Sequence, residues 1–211
     1  MEVEKIVLER ELVYRGTVLL TYRIEYPKLV GGSYYYGIEQ VNRYNRRKAL
    51  ALKLYAERDL WKDAKEVYEY NLANGYPIIP YELVFTYTIT LLDNGILSLY
   101  TDEYVFTGGA HGSTTRESQN WNLERGTQFS LHSVFPHDPD YFLLILKEIN
   151  HQIADQEEQD PGRYFENYCQ LVLDTFRLDQ FYLTENDVVI YFQQYDIAPY
   201  SSGIPTFSIP R

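Results

Sequence analysis

The feature that most constrains the fold is a long stretch of helical periodicity in the first third of the chain. Between about residues 35 and 72, mostly apolar side chains recur every three to four residues, at Ile38, Val41, Asn45, Ala49, Leu52, Ala56, Leu60, Ala64 and Val67. A helix of this length extends ~50 Å at 1.5 Å per residue. We expect it to cross a sheet rather than cover one edge, and to stop at Gly75 and Pro77.

Alternating patterns predict antiparallel strands on both sides of this helix. Residues 5–26 alternate as a pair of strands does, with a turn near residues 15–16 and a break over residues 27–33. Residues 81–107 predict a long hairpin, and its Asn94-Gly95 dipeptide is typical of a type I′ turn. The helix therefore lies between two blocks of strands.

The second half of the chain mixes short helices and short strands. A strand at 114–123 continues the meander, and helices are expected at about 139–156 and 161–177. Each helix follows an Asp-Pro pair, which suits the N-cap and first helical positions. A short hairpin over residues 181–192 and a terminal strand at 206–209 complete the pattern.

Strands and helices come in blocks, without βαβ alternation, which predicts an α+β fold. We expect antiparallel sheets packed against the long helix and the two shorter ones. The expected organisation is an N-terminal module at 1–107 and a C-terminal module at 108–211, combined in one compact unit.

Composition excludes some functions and favours others. The net charge of −11 argues against nucleic acid, which binds through neutralising Lys and Arg side chains. The 22 tyrosines suit a surface that binds protein or sugar, although tyrosine also favours half-buried strands. The single cysteine, Cys169, excludes an intrachain disulfide, and its apolar neighbours predict a buried, inert thiol.

No segment approaches the roughly 18 consecutive apolar residues of a membrane-spanning helix. The first residues, Met1 to Lys5, lack the basic and apolar regions of a signal peptide. We therefore expect a chain that, as written, is neither exported nor inserted in a membrane.

A glycine-rich stretch joins two predicted strands and contains Gly108, Gly109, His111 and Gly112. Three glycines in five residues indicate a backbone conformation or close approach that a Cβ would forbid. We interpret the stretch as a structural corner in which His111 hydrogen-bonds backbone carbonyls. A hydrolase or a metal-dependent enzyme centred on His111 is the alternative.

Evidence for catalysis is thin in this sequence. His111 has no neighbouring histidine with the spacing of a zinc site, and Ser113 is not set in a nucleophile elbow. There is neither a phosphate-binding loop nor a dinucleotide fingerprint. We expect no cofactor, no metal and no enzymatic activity; a structural or assembly domain with an exposed strand edge is a further alternative.

Four segments resemble a known bacterial domain pair of unknown general function. They are residues 108–111, 121–127 and 131–135, and above all the tail at 191–203, which is similar to the ending Phe-x-x-Tyr-Glu-Ile-Ala-Pro-Tyr-x-x-Gly of that family. The pair occurs in the extracytoplasmic region of the anti-sigma-V factor and lysozyme receptor RsiV. It also precedes the catalytic domain of PdaC-type peptidoglycan deacetylases.

The resemblance implies an extracytoplasmic binding or sensing module for a protein or glycan of the cell envelope. Lysozyme is the ligand of one member, in which the tail loop helps to form the binding surface. By position, that surface would fall here on Tyr195, Pro199, Tyr200 and Gly203. Within residues 1–211 we find no resemblance to a sigma-binding segment or a deacetylase catalytic domain, so we expect the resemblance not to extend to those activities.

Overall fold

The computed structural model describes residues 1–135 and 140–210. Over these residues it has four α-helices, nine strands and several short turns of other helix types. The strands are β1 (Glu2–Tyr14), β2 (Thr17–Val30), β3 (Tyr81–Asp93), β4 (Ile96–Phe106), β5 (Ser113–Asn122), β6 (Thr127–Gln128), β7 (Phe181–Leu183), β8 (Asp187–Tyr191) and β9 (Thr206–Pro210). The helices are α1 (Tyr35–Tyr55), α2 (Trp61–Asn74), α3 (Tyr141–Gln159) and α4 (Tyr168–Thr175).

The predicted α+β class is confirmed. One sheet has the strand order β1-β2-β3-β4-β5-β6, and a second has the order β7-β8-β9. β1 and β2 pair antiparallel, as do the neighbours in the smaller sheet. The pair β2–β3 is parallel, because a helical crossover separates these two strands in sequence.

The predicted long helix is confirmed, and it continues to Asn74. A π-helical turn at Ala56–Leu60 joins α1 to α2, so the helical path runs without a break from Tyr35. Its end is set by Gly75, which takes the left-handed conformation (φ 70°) that closes a helix and that glycine adopts without a Cβ penalty.

Both predicted hairpins in the first half are confirmed. Asn94 (φ 47°) and Gly95 (φ 77°) both have the positive φ of a type I′ turn. The predicted break beginning at Pro27 is wrong, since β2 continues to Val30. Pro27 pairs with Lys5 of β1 but lies beyond the five residues of β2 that pair with β3, so its missing N–H leaves no bond unmade on that side.

The chain divides into two compact units that each draw on separate segments. The first comprises residues 1–87, 101–114 and 124–126, and the second comprises the remainder. In the first unit, α1 and α2 pack on β2 and β3 through residues such as Leu20, Ile24 and Leu83, which are fully buried. The predicted boundary near residue 107 stays a prediction.

The second unit has its own core. It is built from α3, α4 and the smaller sheet, and its fully buried side chains include Leu131, Ile145, Ile149, Val172 and Phe207. The buried face of α3 carries Ile145, Leu146, Ile149 and Ile153.

One predicted helix start is wrong, and the other cannot be compared. Asp138 and Pro139 lie outside the described residues. The helix expected from residue 161 begins only at Tyr168. The reason is local: the Glu157 carboxylate accepts the N–H groups of Gly162 (3.0 Å) and Tyr164 (2.6 Å), and these bonds fold the segment after Asp160 into a turn.

The prediction of a buried thiol at Cys169 is also wrong, because this residue is exposed. The inward face of α4 carries Tyr168, Leu171, Val172 and Thr175. At 100° per residue, Cys169 points about 110° away from the centre of that face. Among the described helices, none is both long and apolar enough to cross a membrane.

Candidate binding site in the tail loop

The residues singled out in the tail belong to the segment between β8 and β9. Tyr195 has a positive φ of 67° and is 53% exposed. Its ring centroid lies 6.0 Å from that of Tyr200. A short 3₁₀ turn runs from Tyr200 to Ser202, with Pro199 before it and Gly203 (φ 68°, ψ −133°) after it. The rings of Tyr195 and Tyr200 are therefore neighbours, and Pro199 and Gly203 lie at the two ends of the turn that carries Tyr200.

Hydrogen bonds hold the ends of this loop in place. The Gln193 side chain accepts the N–H of Arg116 (2.9 Å) and donates to the carbonyl of the same residue (2.8 Å). At the other end, the Ser202 hydroxyl donates to the carbonyl of Arg163 (2.7 Å). The loop is thus anchored to β5 and to the segment before α4, which preorganises the exposed ring of Tyr195.

An aromatic ladder continues from the Gln193 anchor. The Arg116 guanidinium lies 3.8 Å from the ring centroid of Tyr100, within cation–π range. Tyr100 contacts Tyr182 (centroids 5.1 Å apart), which stacks against Tyr191 (6.3 Å). Burial raises the pKa of Tyr191 to about 12, and its phenol donates to the Ser118 hydroxyl at 3.2 Å.

Sequence reasoning missed three residues of this site: Gln193, Asp196 and Arg116. Gln193 and Asp196 flank Tyr195 within the tail motif, so their proximity in sequence is a signal that could have found them. Arg116 sits in a strand that alternates polar and charged residues, and nothing in that pattern distinguishes it from its neighbours. Its role depends on stacking over a tyrosine of another strand.

Asp196 gives the loop a dependence on pH. Burial raises the pKa of its carboxyl, and the N–H that Gln193 donates to Oδ2 (2.8 Å) offsets this only in part. The folded state therefore binds this proton more tightly than the unfolded chain, so the contribution of Asp196 to stability falls as pH rises from the ordinary Asp pKa through the raised one. At neutral pH the ionised carboxylate therefore stabilises the fold less than the protonated acid would.

We expect Asp196→Asn to raise the free energy of unfolding at pH 7, because the amide keeps an oxygen that accepts the Gln193 N–H without a buried charge. The difference from the wild type should vanish below about pH 4, where Asp is protonated in both states. Urea titrations of both proteins at several pH values measure this. A variant less stable than the wild type at pH 7 would contradict the assignment of burial as the dominant effect.

The glycine-rich loop lies between β4 and β5 and belongs to the first unit. Gly108 (φ 92°) and Gly109 (φ 96°) take left-handed conformations. His111 is exposed, and its Nδ1 lies 2.8 Å from the carbonyl oxygen of Gly112, which suits donation from an Nδ1–H. A Cβ on Gly112 would lie 2.4 Å from the ring of Tyr104. Positive φ angles thus account for Gly108 and Gly109, and the close approach of Tyr104 accounts for Gly112.

Across residues 1–135 and 140–210, no group of three His, Cys, Asp or Glu side chains is placed to hold a metal ion. His132, for example, lies against the ring of Tyr141, with centroids 5.6 Å apart.

Two family models match consecutive parts of the chain. Residues 15–114 match the family described as Deacetylase PdaC, and residues 132–211 match DUF3298, a family described as a protein of unknown function. The matches follow one another in sequence, as expected for a DUF3298 domain paired with a PdaC-type one.

A curated relative is similar to this chain over part of its length. The chain is 24% identical over 178 residues to the peptidoglycan-N-acetylmuramic acid deacetylase PdaC of Bacillus subtilis (strain 168). The match covers 76% of this chain but only 38% of the deacetylase.

Two crystal structures share the fold. A DUF3298 family member from Bacteroides fragilis superposes with a TM-score of 0.71 at 20% identity, over 99% of this chain and 90% of that one. A DUF3298 family protein from Pseudomonas aeruginosa PAO1 gives 0.62 at 21% identity, over 100% and 91% of the two chains. At these identities the comparison establishes the fold.

Proposed function

We propose, on the premise that this chain pairs a PdaC-type domain with a DUF3298 domain, that it is a non-enzymatic binding or sensing module of the bacterial cell envelope. The observation that carries the proposal is the exposed ring of Tyr195, held 6.0 Å from Tyr200 on an anchored loop. An aromatic pair with polar tips, in which Tyr195 is exposed and Tyr200 half-buried, suits a protein or glycan ligand.

The ligand that charge favours is a cationic protein of the envelope, for which lysozyme is the test case. A chain of net charge −11 attracts a cationic partner over distance and increases the rate of association. A cell-wall glycan is the other ligand class, since tyrosine faces also stack on sugars. The similarity to a peptidoglycan deacetylase supports a location at the cell wall, outside the cytoplasm.

A binding role without catalysis is supported by the surroundings of His111. Its Nδ1 faces the carbonyl of Gly112, so that nitrogen serves to hold the loop. His111→Ala is therefore expected to leave ligand binding unchanged. The deacetylase similarity covers a minority of that enzyme, so its activity is not part of the proposal.

The test is calorimetric titration of the chain with a c-type lysozyme and, in parallel, with soluble peptidoglycan fragments. We expect micromolar or tighter binding to one of them. Tyr195→Ala and Tyr200→Ala should each weaken it about tenfold, the loss of a central aromatic contact being worth on the order of 1–2 kcal/mol.

Tyr70→Ala is the matched control. Tyr70 is 61% exposed and stacks on Tyr76 with ring centroids 6.1 Å apart, so it presents a similar aromatic pair in the first unit. We expect this variant to bind like the wild type. If all three variants bind equally, the tail loop is not the binding surface.

A further inference from the structure

A groove in the first unit lies between the end of β2 and the outer face of α1. Its volume is about 500 Å³. The residues that matter along it are Tyr26, Lys28, Arg43, Arg46, Arg47 and Leu50. Glu39 and Asn42 complete the lining, so four of its eight side chains are cationic and one is anionic, although the chain as a whole carries a net charge of −11.

Two of the cations have acidic partners and two do not. Arg43 pairs with Glu39 at 2.9 Å, and Lys28 pairs with Glu4 at 2.9 Å. Within the described parts of the chain, Arg46 and Arg47 make no hydrogen bond or ion pair, and both are exposed. Their positive charge is therefore not neutralised by the protein.

The groove has a fixed frame. The Asn42 side chain accepts the N–H of Leu29 (2.8 Å) and donates to its carbonyl (2.9 Å), which ties α1 to the last residues of β2. The buried Asn45 lies within 3.5 Å of the carbonyl of Pro27 and faces the same strand. The arginines on the next turn of α1 thus project from a helix that these hydrogen bonds hold against β2.

We infer that this groove binds an acidic polysaccharide, a sugar polymer that bears carboxylate or phosphate groups. The planar guanidinium groups of Arg46 and Arg47 match the geometry of either anion. Tyr26 and Leu50 add apolar surface beside them, which suits the apolar faces of sugar rings. This site lies in the first unit and takes an anion, so it is independent of the tail loop and its cationic protein ligand.

The test compares polymers that differ in one property. Carboxymethyl-dextran and dextran share a backbone but differ in charge, a glycerol-phosphate teichoic acid supplies the phosphate, and polyglutamate is an anion without sugar. We expect the wild-type protein to bind carboxymethyl-dextran or the teichoic acid, with affinity that falls as salt is added. Dextran should not bind.

Arg46→Gln/Arg47→Gln should weaken binding to the acidic polysaccharide at least about tenfold. Arg58→Gln/Lys62→Gln is the matched control, because it removes two exposed cations from the same helical path, outside the groove. The control should change the affinity less than about twofold. Equal losses in the two double variants would overturn the site, since they would show a response to net charge alone.

Tyr26→Leu tests the sugar part of the inference. Leu keeps an apolar side chain at this half-buried position but lacks the ring face. We expect a several-fold loss for the polysaccharide and no change for polyglutamate, with thermal melting used to confirm that the variant is folded. Polyglutamate that binds as tightly as the acidic polysaccharides would overturn the assignment to a sugar polymer.

The Tyr195 and Tyr200 variants should bind these polymers like the wild type, so failure at one site does not imply failure at the other.

Discussion

Replacement of Asn120 by Leu is expected to lower the free energy of unfolding by about 2–4 kcal/mol, because it breaks a buried polar network in the second unit. Asn120 accepts from the Ser98 hydroxyl (2.7 Å) and donates to the carbonyl of Phe181 (2.8 Å). The same hydroxyl accepts the N–H of Leu183 (2.8 Å). Leu fills a similar volume but leaves the Phe181 carbonyl without this donor, away from water.

Urea denaturation measures this effect, and Ser118→Ala is its control. Ser118 lies in the same strand and donates to the carbonyl of Asp179 at 3.0 Å, so it also links β5 to the segment that leads into β7. It is only half-buried, whereas Asn120 is 4% exposed, so water can replace the hydroxyl at the Asp179 carbonyl. The Tyr191 phenol, which donates to Ser118, also lies 3.4 Å from the Arg116 carbonyl and so keeps an acceptor. We expect a loss below about 1 kcal/mol for Ser118→Ala. Similar values for the two variants would contradict the importance of the buried network.

The elements that sequence reasoning predicted well are those whose signals are local. The helical period over residues 35–72 depends on spacing alone, and Asn94-Gly95 fixes a turn through the dihedral angles that these two residues tolerate. In the tail, the aromatic residues were found through resemblance. The structure adds that the rings of Tyr195 and Tyr200 are neighbours.

The elements that were missed depend on particular side-chain hydrogen bonds, some of them between distant residues, that periodicity and capping signals do not reveal. The Asp160-Pro161 signal is a sound helix start by itself, but Glu157 captures two N–H groups of the following segment and turns it away from helix. Asn120 and Ser98 occupy core positions in strands, where an alternating pattern predicts apolar residues. Their polarity is explained only by the Phe181 carbonyl and the Leu183 N–H, which lie more than sixty positions along the chain.

The glycine-rich loop contains glycines for two physical reasons, a positive φ and a close approach by a side chain, and substitutions can distinguish them. Gly108 needs glycine for its φ of 92°, and a Cβ there would meet no atom within 4 Å. Gly112 is the reverse case: its φ lies outside the left-handed range, but a Cβ would lie 2.4 to 2.7 Å from three atoms of the Tyr104 side chain. At that distance the tyrosine ring must leave its position.

Gly112→Ala is therefore expected to lower the free energy of unfolding by about 1 kcal/mol, because the obstructing atoms belong to the far end of the half-buried Tyr104 side chain, which can shift. Gly112→Val should cost more, because the overlap grows with the size of the side chain. Gly108→Ala should cost about 1 kcal/mol, the price of a left-handed alanine. Adding Tyr104→Ala to Gly112→Ala removes the obstructing ring, so the double variant should lose less than the sum of the two single losses. Strictly additive losses in urea denaturation would show that the ring of Tyr104 is not the reason for glycine at position 112. The backbone conformation of the loop would then be the remaining explanation.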